Sequence, residues 1–241
     1  RYEEAKEKGE EGEMGKYARR FVRLNQVMID ESKELLHALG LPVIQAPSEG
    51  ESQASFISKQ GDAYAVSSQD YDSLLFGAPI LIQNLTLAKK RKLPSGAYTT
   101  IQPECIELEN VLKTLGMNHE QLICLGILVG TDYNPKGVKG IGPKKALDFV
   151  KKYKEPEKIF GAVEKEPKYE INFEWKEIFD LFKKPDITKN YSLNFKKIDE
   201  KALKNLLVKK HEFGEERINS ALEKMKRQSE DTKQKGLGNW I

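Results

Sequence analysis

Three short apolar runs, separated by segments with helical periodicity, constrain the fold of this chain more than any other feature. The runs lie at residues 42–46, 63–68 and 79–85. Each run has the length of a buried strand, and strands that alternate with helices are typical of a mostly parallel sheet covered by helices. The sequence therefore predicts an α/β fold.

The segments between and after these runs predict the remaining elements. Apolar spacing predicts an amphipathic helix over residues 16–39, ended by Gly40 and Pro42, and a second helix that runs to about residue 60. Residues 98–102 are expected to form a further strand.

The second half of the chain is expected to be mainly helical. Residues 103–153 are predicted helical with a break at 130–143, where glycines and prolines gather, and residues 201–228 are predicted to return to helix. Residues 155–200 contain three prolines and are expected to be irregular. This organisation gives a C-terminal helical region.

Composition excludes several classes of protein. No apolar run approaches the length that spans a bilayer, no secretory signal is visible, and two cysteines give no disulfide framework. We therefore expect an intracellular protein, cytoplasmic if archaeal and nuclear if eukaryotic. The net charge of +3 is too small to create a strong overall field for nucleic acid, so local clusters of charge matter more.

Carboxylates gather where the predicted strands and helices end. They are Glu49, Glu51, Asp70, Asp72 and Asp132. Ligand sites of open α/β sheets form at the carboxyl ends of strands, so two acid pairs are expected in one crevice. Such acids either raise their own pKa values or bind cations, and oxygen ligands favour Mg²⁺ or Mn²⁺. Two such ions promote phosphodiester hydrolysis by activating water and stabilising the leaving oxygen.

Three of the acids also have a purely structural interpretation. Ser48 and Glu51 have the spacing of a capping box, and Asp70 is a candidate N-cap of a short helix. Asp132 is a candidate stabiliser of the turn before Asn134 and Pro135. The spacing of the acids leaves these alternatives open.

A glycine-rich and lysine-rich segment at 137–150 predicts an anion site. Its glycines permit positive φ, Pro143 suits a first helical turn, and two lysines in that turn oppose the helix dipole. A phosphate at this helix N-terminus would compensate the unfavourable placement. The alternative is a helix connection with solvated lysines. The lysines concerned are Lys144 and Lys145.

Three motifs, SEGESQA, SSQDYDSLLFG and GTDYNPKGVKGIGPKKA, resemble in order and spacing the internal nuclease region of flap endonucleases, especially archaeal ones. The resemblance begins near residue 16. It implies a structure-specific 5′ flap endonuclease and 5′–3′ exonuclease that serves replication, in Okazaki fragment processing, and repair. It implies two Mg²⁺ ions, with Mn²⁺ as a substitute. Glu49 and Glu51 would hold one ion, and the three aspartates would hold the other.

The family site also uses two aspartates from an N-terminal segment that no stretch of this chain matches. We therefore expect residues 1–15 to be the end of an arch or linker and residues 16–228 to form the nuclease domain. The five acids of this chain then form an incomplete set, and the chain alone is a doubtful enzyme.

The resemblance also identifies residues 119–153 as a helix–two-turn–helix element that binds duplex DNA. Its implied DNA-binding residues are Gly137, Val138, Gly140, Ile141, Gly142, Lys144 and Lys145. In the family, backbone carbonyls of this turn also hold a K⁺ ion that bridges to a phosphate. The matching carbonyls lie near Gly137, Val138 and Ile141.

Residues 229–241 are expected to form a flexible tail that ends in a Q-x-x-L-x-x-W-I pattern. The pattern comprises Gln234, Leu237, Trp240 and Ile241. It resembles the peptide by which replication proteins bind the sliding clamp PCNA, although the final residue is usually aromatic. The alternative is docking onto the core of the protein itself. Outside a clamp complex we expect a monomer.

Two other functions remain open from the sequence. One is a non-catalytic module that binds duplex DNA and the clamp. The other is a 5′ exonuclease or repair nuclease of the same superfamily.

Overall fold

The structure is a computed structural model that describes residues 24–85, 90–92 and 96–234, with side chains described for 24–85 and 96–227. In chain order the elements are α1 (Gln26–Ala38), α2 (Gly50–Lys59), β1 (Val66–Ser67), α3 (Asp72–Leu75), β2 (Ile80–Gln83), β3 (Lys90–Lys92), β4 (Tyr98–Thr100), β5 (Glu104–Glu107), α4 (Leu108–Leu115), α5 (His119–Val129), α6 (Pro143–Tyr153), α7 (Pro156–Glu164), α8 (Trp175–Lys183), α9 (Glu200–Lys204), a π-helix (Asn205–Lys210) and α10 (Glu215–Gln234).

The chain divides into two compact units. One comprises Arg1–Ile44 together with Ser192–Ile241, and the other comprises Gln45–Tyr191. All five predicted carboxylates lie in the second unit. Within the described residues, every helix is too short or too polar to cross a bilayer.

The sheet of the second unit contains three described strands in the order β1-β2-β5. Strands β1 and β2 are parallel, with Val66 opposite Leu81, whereas β2 and β5 are antiparallel. Strands β3 and β4 form a separate antiparallel pair. The prediction of a mostly parallel sheet is therefore met at one of the two pairings of the main sheet, and the described part of the chain has a mixed, helix-rich fold.

Helix α5 is the centre of the core of this unit. A capping box of Asn118 and Gln121 begins the helix, and its Ile123, Cys124 and Ile127 are completely buried. Helices α6, α7 and α8 supply further members of the apolar cluster, and Leu75, Phe76, Met117, Val138 and Ile141 complete it. Because α5 is packed on several sides, its C-terminal end is a rigid support for the turn that carries Asp132.

The first unit is built around a small cluster of Ala38, Leu203, Ile218 and Leu222. Helix α1 ends at a tight turn whose Gly40 has a φ of +75°. A Cβ at Gly40 would lie 2.1 Å from the carbonyl oxygen of Lys196, so this close approach requires glycine. The unit contains α1, α9, the π-helix and α10.

The predicted strand at 42–46 is wrong, because these residues pair with no described strand. Pro42 begins the run and Pro47 follows it, and proline supplies no N–H group to a sheet. The strand predicted at 63–68 is shortened to Val66–Ser67, and the one at 79–85 to Ile80–Gln83.

The prediction that residues 155–200 are irregular is also wrong in part, since α7 and α8 lie there. Pro156 occupies the first helical position of α7. Proline at that position starts a helix rather than breaking one, because its missing N–H would have no partner there.

Three other boundaries differ from the expected ones. Residues 104–107, predicted helical, form β5 against β2. The predicted helix over 201–228 is interrupted at 211–214, where Gly214 lies, and α10 then continues to Gln234. Residues 229–234 contain neither glycine nor proline, the two residues that most strongly end a helix, so nothing in the sequence ends the helix at 228. The predicted start of α1 at residue 16 lies outside the described residues.

Candidate functional site

Helix α2 presents the two glutamates at its N-terminus. Glu49 is the N-cap residue, its side chain makes no capping hydrogen bond, and Glu51 lies in the first turn. The capping-box interpretation of Ser48 and Glu51 is therefore not supported. Buried serines on α2, at 52, 55 and 58, let the helix lie close to its neighbours, and Ser55 Oγ donates to the carbonyl of Ser73 in α3.

The aspartates at 70 and 72 follow β1. The N-cap of the short helix α3 is Tyr71, and Asp72 is its first helical residue, so Asp70 does not act as the N-cap. The backbone N–H of Asp70 instead donates to Ser68 Oγ at 3.1 Å. The same Ser68 hydroxyl donates to Oε1 of Glu51. These bonds bring the β1 end and the α2 start together.

Asp132 lies in the turn that follows α5. This turn is held by Thr131 Oγ1, which donates to Asn134 Oδ1 at 2.7 Å, and by Asn134 Nδ2, which donates to the carbonyl of Ile127 at 2.7 Å. Both holding residues are buried, whereas Asp132 is exposed. The turn is thus stabilised by its neighbours and leaves the Asp132 carboxylate available to a ligand.

Electrostatic coupling shows that the three segments converge. Burial, followed by the charges of Asp132 and Glu51, raises the pKa of Asp72 from 3.8 to about 6, against an opposing backbone hydrogen bond from Asp132. Burial is also the main cause that raises the pKa of Glu51, with smaller contributions from Asp70, Glu49 and Asp132. We call the five residues together the acidic cluster.

Tyr133 lies beside the acidic cluster. Burial, the charge of Glu49 and a hydrogen bond to that carboxylate raise the pKa of Tyr133 to about 12. The ring packs edge-on against Phe182 at 5.5 Å between centroids. Tyr133 therefore links a carboxylate of the cluster to the apolar core.

The acidic cluster fits divalent cations by its chemistry. Five hard oxygen donors from three segments repel one another, and a cation relieves that repulsion. In the part of the chain that the structure describes, no three acidic, histidine or cysteine side chains are arranged closely enough to hold an ion. The cluster thus assembles the ligand types around a common region without a closed coordination shell.

Residues 137–145, the glycine–lysine turn, comprise the end of the connection from α5 and the first three residues of α6. Gly137 has a φ of +53°, and a Cβ there would lie 2.3 Å from the carbonyl oxygen of Val129. Val138 and Ile141 are 1% and 5% exposed, so their side chains anchor the turn in the core. The backbone of the turn is held as well, because the N–H of Val138 donates to the carbonyl of Leu128 at 2.9 Å and the N–H of Ile141 donates to the carbonyl of Val138 at 3.0 Å.

Helix α6 starts within this turn, at Pro143. Gly142 is the N-cap without a side-chain capping bond, and Pro143 is the first helical residue. Lys144 and Lys145 are both exposed. Lys145 Nζ donates to the carbonyl of Gly140 at 2.9 Å and lies 5.7 Å from the centre of the Tyr169 ring. The first turn of α6 thus carries two surface cations beside N–H groups that no side chain caps.

Comparisons with known proteins place the chain in a family. Residues 40–132 match the model of the XPG I-region. Over its whole length the chain is 45% identical to flap endonuclease 1 of Hyperthermus butylicus, of which it covers 69%. The chain belongs to the flap endonuclease 1 family.

Solved structures agree with this assignment. The flap endonuclease 1 of Methanococcus jannaschii matches 90% of the chain at 40% identity with a TM-score of 0.72, and the chain covers 62% of that structure. The catalytic core of Rad2, in a complex with DNA substrate, matches 86% of the chain with a TM-score of 0.69, and the chain covers 71% of it. The sequence identity to Rad2 is 21%, so this comparison shows only that the two proteins share a fold.

The matched XPG I-region contains all five members of the acidic cluster, since it runs from residue 40 to residue 132. The glycine–lysine turn lies just beyond it. Gln234 ends α10, but its side chain and the residues Leu237, Trp240 and Ile241 of the predicted clamp-binding tail lie outside the described residues, as does the predicted linker at 1–15.

Sequence reasoning missed the polar residues that support the cluster. They are Ser68, Thr131, Tyr133 and Asn134. All four lie inside the three motifs, with Ser68 two residues before Asp70 and Thr131 directly before Asp132. Polar residues are frequent in turns, however, and their spacing alone does not reveal a partner that is distant in sequence.

Proposed function

We propose that this member of the flap endonuclease 1 family cuts 5′ flaps and related DNA junctions by metal-dependent phosphodiester hydrolysis, in replication and repair. The observation that carries the proposal is the convergence of carboxylates from three segments. Ser68 joins Glu51 to the backbone of Asp70 by two hydrogen bonds. Burial, and then the charges of Asp132 and Glu51, raise the pKa of Asp72. Acids that destabilise one another in a shared region are typical of a cation site.

Glu49 and Glu51 would hold one divalent ion, and Asp70, Asp72 and Asp132 would hold the other, with Mg²⁺ or Mn²⁺ as the ions. When bound, the ions supply activation of water and neutralisation of charge at the leaving oxygen. The residues of the chain orient these ligands: Ser68 holds Glu51, and the turn of Thr131 and Asn134 holds Asp132 in place. Two further aspartates implied by the family resemblance would complete the set.

The glycine–lysine turn would bind the duplex part of the substrate through its phosphates. Its support is the first turn of α6, where no side chain caps the N–H groups and Lys144 and Lys145 are exposed. A phosphate there would gain hydrogen bonds, the helix dipole and two cations. Such contacts read the backbone and not the base sequence. Backbone carbonyls of Gly137, Val138 and Ile141 are the proposed ligands of a K⁺ ion.

The tail motif of Gln234, Leu237, Trp240 and Ile241 would bind the sliding clamp PCNA. An apolar pair presented by a polar tail fits an apolar pocket on a partner. Replacing Leu237 and Trp240 together by alanine should weaken clamp binding strongly and leave cleavage without the clamp intact. Equal clamp affinity of the double variant would refute this assignment.

Cleavage of matched substrates by the full-length protein tests the proposed activity. Flap, bubble and four-way junction DNA of the same sequence would be incubated with Mg²⁺ or with EDTA. We expect fastest cleavage of the flap, and only with Mg²⁺. Preference for the bubble or the four-way junction would favour a related repair nuclease, and binding without cleavage of any substrate would favour a non-catalytic module.

A further inference from the structure

The hydroxyl of Ser68 lies between two of the carboxylate-bearing segments. Its oxygen accepts the backbone N–H of Asp70 at 3.1 Å, and its proton is donated to Oε1 of Glu51. A serine hydroxyl has a single proton, so the donation to Glu51 uses its whole donor capacity. One small side chain therefore joins the first turn of α2 to the segment that follows β1.

The backbone around Ser68 is fixed by the sheet. The N–H of Ser68 donates to the carbonyl of Ile82 at 3.3 Å, which extends the parallel pairing of β1 with β2. The next carbonyl, that of Gln69, accepts the side-chain amide of Gln83 at 2.8 Å. Gln83 is only 7% exposed. The backbone that bears the hydroxyl is thus held by hydrogen bonds to β2 and does not lie in an unsupported loop.

We propose that Ser68 is a positioning residue that sets how Glu51 and Asp70 present their oxygens to divalent ions. The inference rests on the proposed function, in which these two acids serve different ions. A carboxylate held at one oxygen loses less freedom when an ion binds, and partners of ligating carboxylates contribute strongly to metal affinity. Because Asp70 is held through its backbone, the same hydroxyl also fixes the start of the Asp70–Asp72 segment relative to α2.

The test compares Ser68→Ala, Ser68→Thr and the neighbouring Ser67→Ala in the full-length protein. Ser67 is exposed and points to the opposite face of β1, so it is a matched control for the loss of a hydroxyl. Binding of Mn²⁺ would be measured by calorimetry without DNA, and thermal unfolding would be recorded in EDTA.

We expect Ser68→Ala to weaken Mn²⁺ binding by about 10-fold or more. Ser68→Thr keeps the hydroxyl and should retain affinity within about 3-fold, and Ser67→Ala should match the unchanged protein. Unfolding temperatures in EDTA should be similar for all variants. Mn²⁺ affinity of Ser68→Ala equal to that of the unchanged protein, or an equal loss in Ser68→Thr, would overturn the proposal.

Asp132→Ala separates this inference from the proposed function. If Asp132→Ala weakens Mn²⁺ binding and Ser68→Ala does not, only the positioning role fails. If Asp132→Ala leaves Mn²⁺ binding unchanged, the acidic cluster is not the ion site, and both proposals fail.

Discussion

The acidic cluster and the glycine–lysine turn lie on the two sides of one short connection, Asp132 to Gly137, but they are built in opposite ways. The acidic cluster draws on three segments, and burial together with the repulsion of neighbouring acids raises the pKa values of Glu51 and Asp72. The glycine–lysine turn is continuous in sequence and is anchored by the buried Val138 and Ile141. In the acidic cluster the side chains are held in place although their negative charges repel one another. In the glycine–lysine turn the backbone is rigid and the lysines are exposed.

Because of this difference, the two regions are suited to different ligands. A region whose charges repel gains stability only from ligands of opposite sign, so the acidic cluster is suited to cations. A rigid backbone with exposed lysines suits the repeated phosphates of a duplex. Changes in the two regions should therefore affect different steps, the chemical step in one case and DNA affinity in the other.

The largest expected effect is on the chemical step. Asp70→Asn removes one charge of the acidic cluster and should slow single-turnover flap cleavage by at least about 100-fold, because each ligand supports charge stabilisation in the transition state. Its affinity for duplex DNA in Ca²⁺ should change by less than about 3-fold. Glu164→Gln, an exposed acid of α7 outside the cluster, is the control. A fall in affinity as large as the fall in rate would remove the distinction between the regions.

The next effect is on the backbone of the turn. Gly137→Ala places a Cβ 2.3 Å from the carbonyl oxygen of Val129 at a φ of +53°. It should destabilise the protein by at least about 2 kcal/mol in denaturant unfolding. Gly161→Ala, at a helical position with no atom within 4 Å of the added Cβ, should be neutral or stabilising by about 0.5 kcal/mol. Equal stability of the two variants would show that the turn is not rigid.

A smaller effect concerns the exposed cations of the turn. Replacing Lys144 and Lys145 by alanine should weaken duplex binding by about 10-fold at low salt and make the salt dependence shallower by about 2 in log–log slope. Lys165→Ala, an exposed lysine beyond α7, should leave the slope unchanged. A slope that the double variant does not alter would indicate lysines that are merely solvated.

The smallest effect tests the charge imbalance itself. The pKa of folded Asp72, about 6, lies above its usual value of 3.8, so the charged form destabilises the folded protein above pH 6. This penalty declines as the pH falls from about 6 to about 4, where the group is protonated in the folded state. In EDTA at about pH 7, Asp72→Asn should therefore be more stable by roughly 1 kcal/mol, a value reduced for solvent screening.

Denaturant unfolding across this pH range measures the difference between Asp72→Asn and the unchanged protein. The stability advantage of Asp72→Asn should shrink toward pH 4. In saturating Mg²⁺ the unchanged protein should be the more stable one, because ions bind the folded protein with Asp72 intact. A variant that is less stable in EDTA at every pH would contradict the electrostatic account.

The sequence predicted these two regions unequally. The glycine–lysine turn is continuous in sequence, so its glycines, Pro143 and lysines were enough to predict its local structure. The acidic cluster needed neighbouring segments to converge, and acids at the ends of predicted elements indicated that convergence even though the strand at 42–46 is absent. The predicted convergence holds although one predicted strand is wrong, because α2 and β1 still place their acids in the same region.

Supporting residues were beyond sequence reasoning for a physical reason. The bond from Ser68 to Glu51 joins residues 17 positions apart, and the amide of Gln53 bonds the backbone of Thr188, 135 positions away. Hydroxyl and amide side chains interact only within the length of one hydrogen bond. Their partners can therefore be identified only when the positions of the backbone segments are known. Helix α7 was missed for a local reason, since Pro156 starts it.

The central claim is that the acidic cluster holds the ions for flap cleavage. A Mg²⁺ titration of single-turnover 5′-flap cleavage by the full-length protein and its Asp132→Ala variant tests it most directly. We predict that the variant stays at least about 100-fold slower even at saturating Mg²⁺ and saturating DNA. Cleavage by Asp132→Ala at the rate of the unchanged protein would contradict the claim.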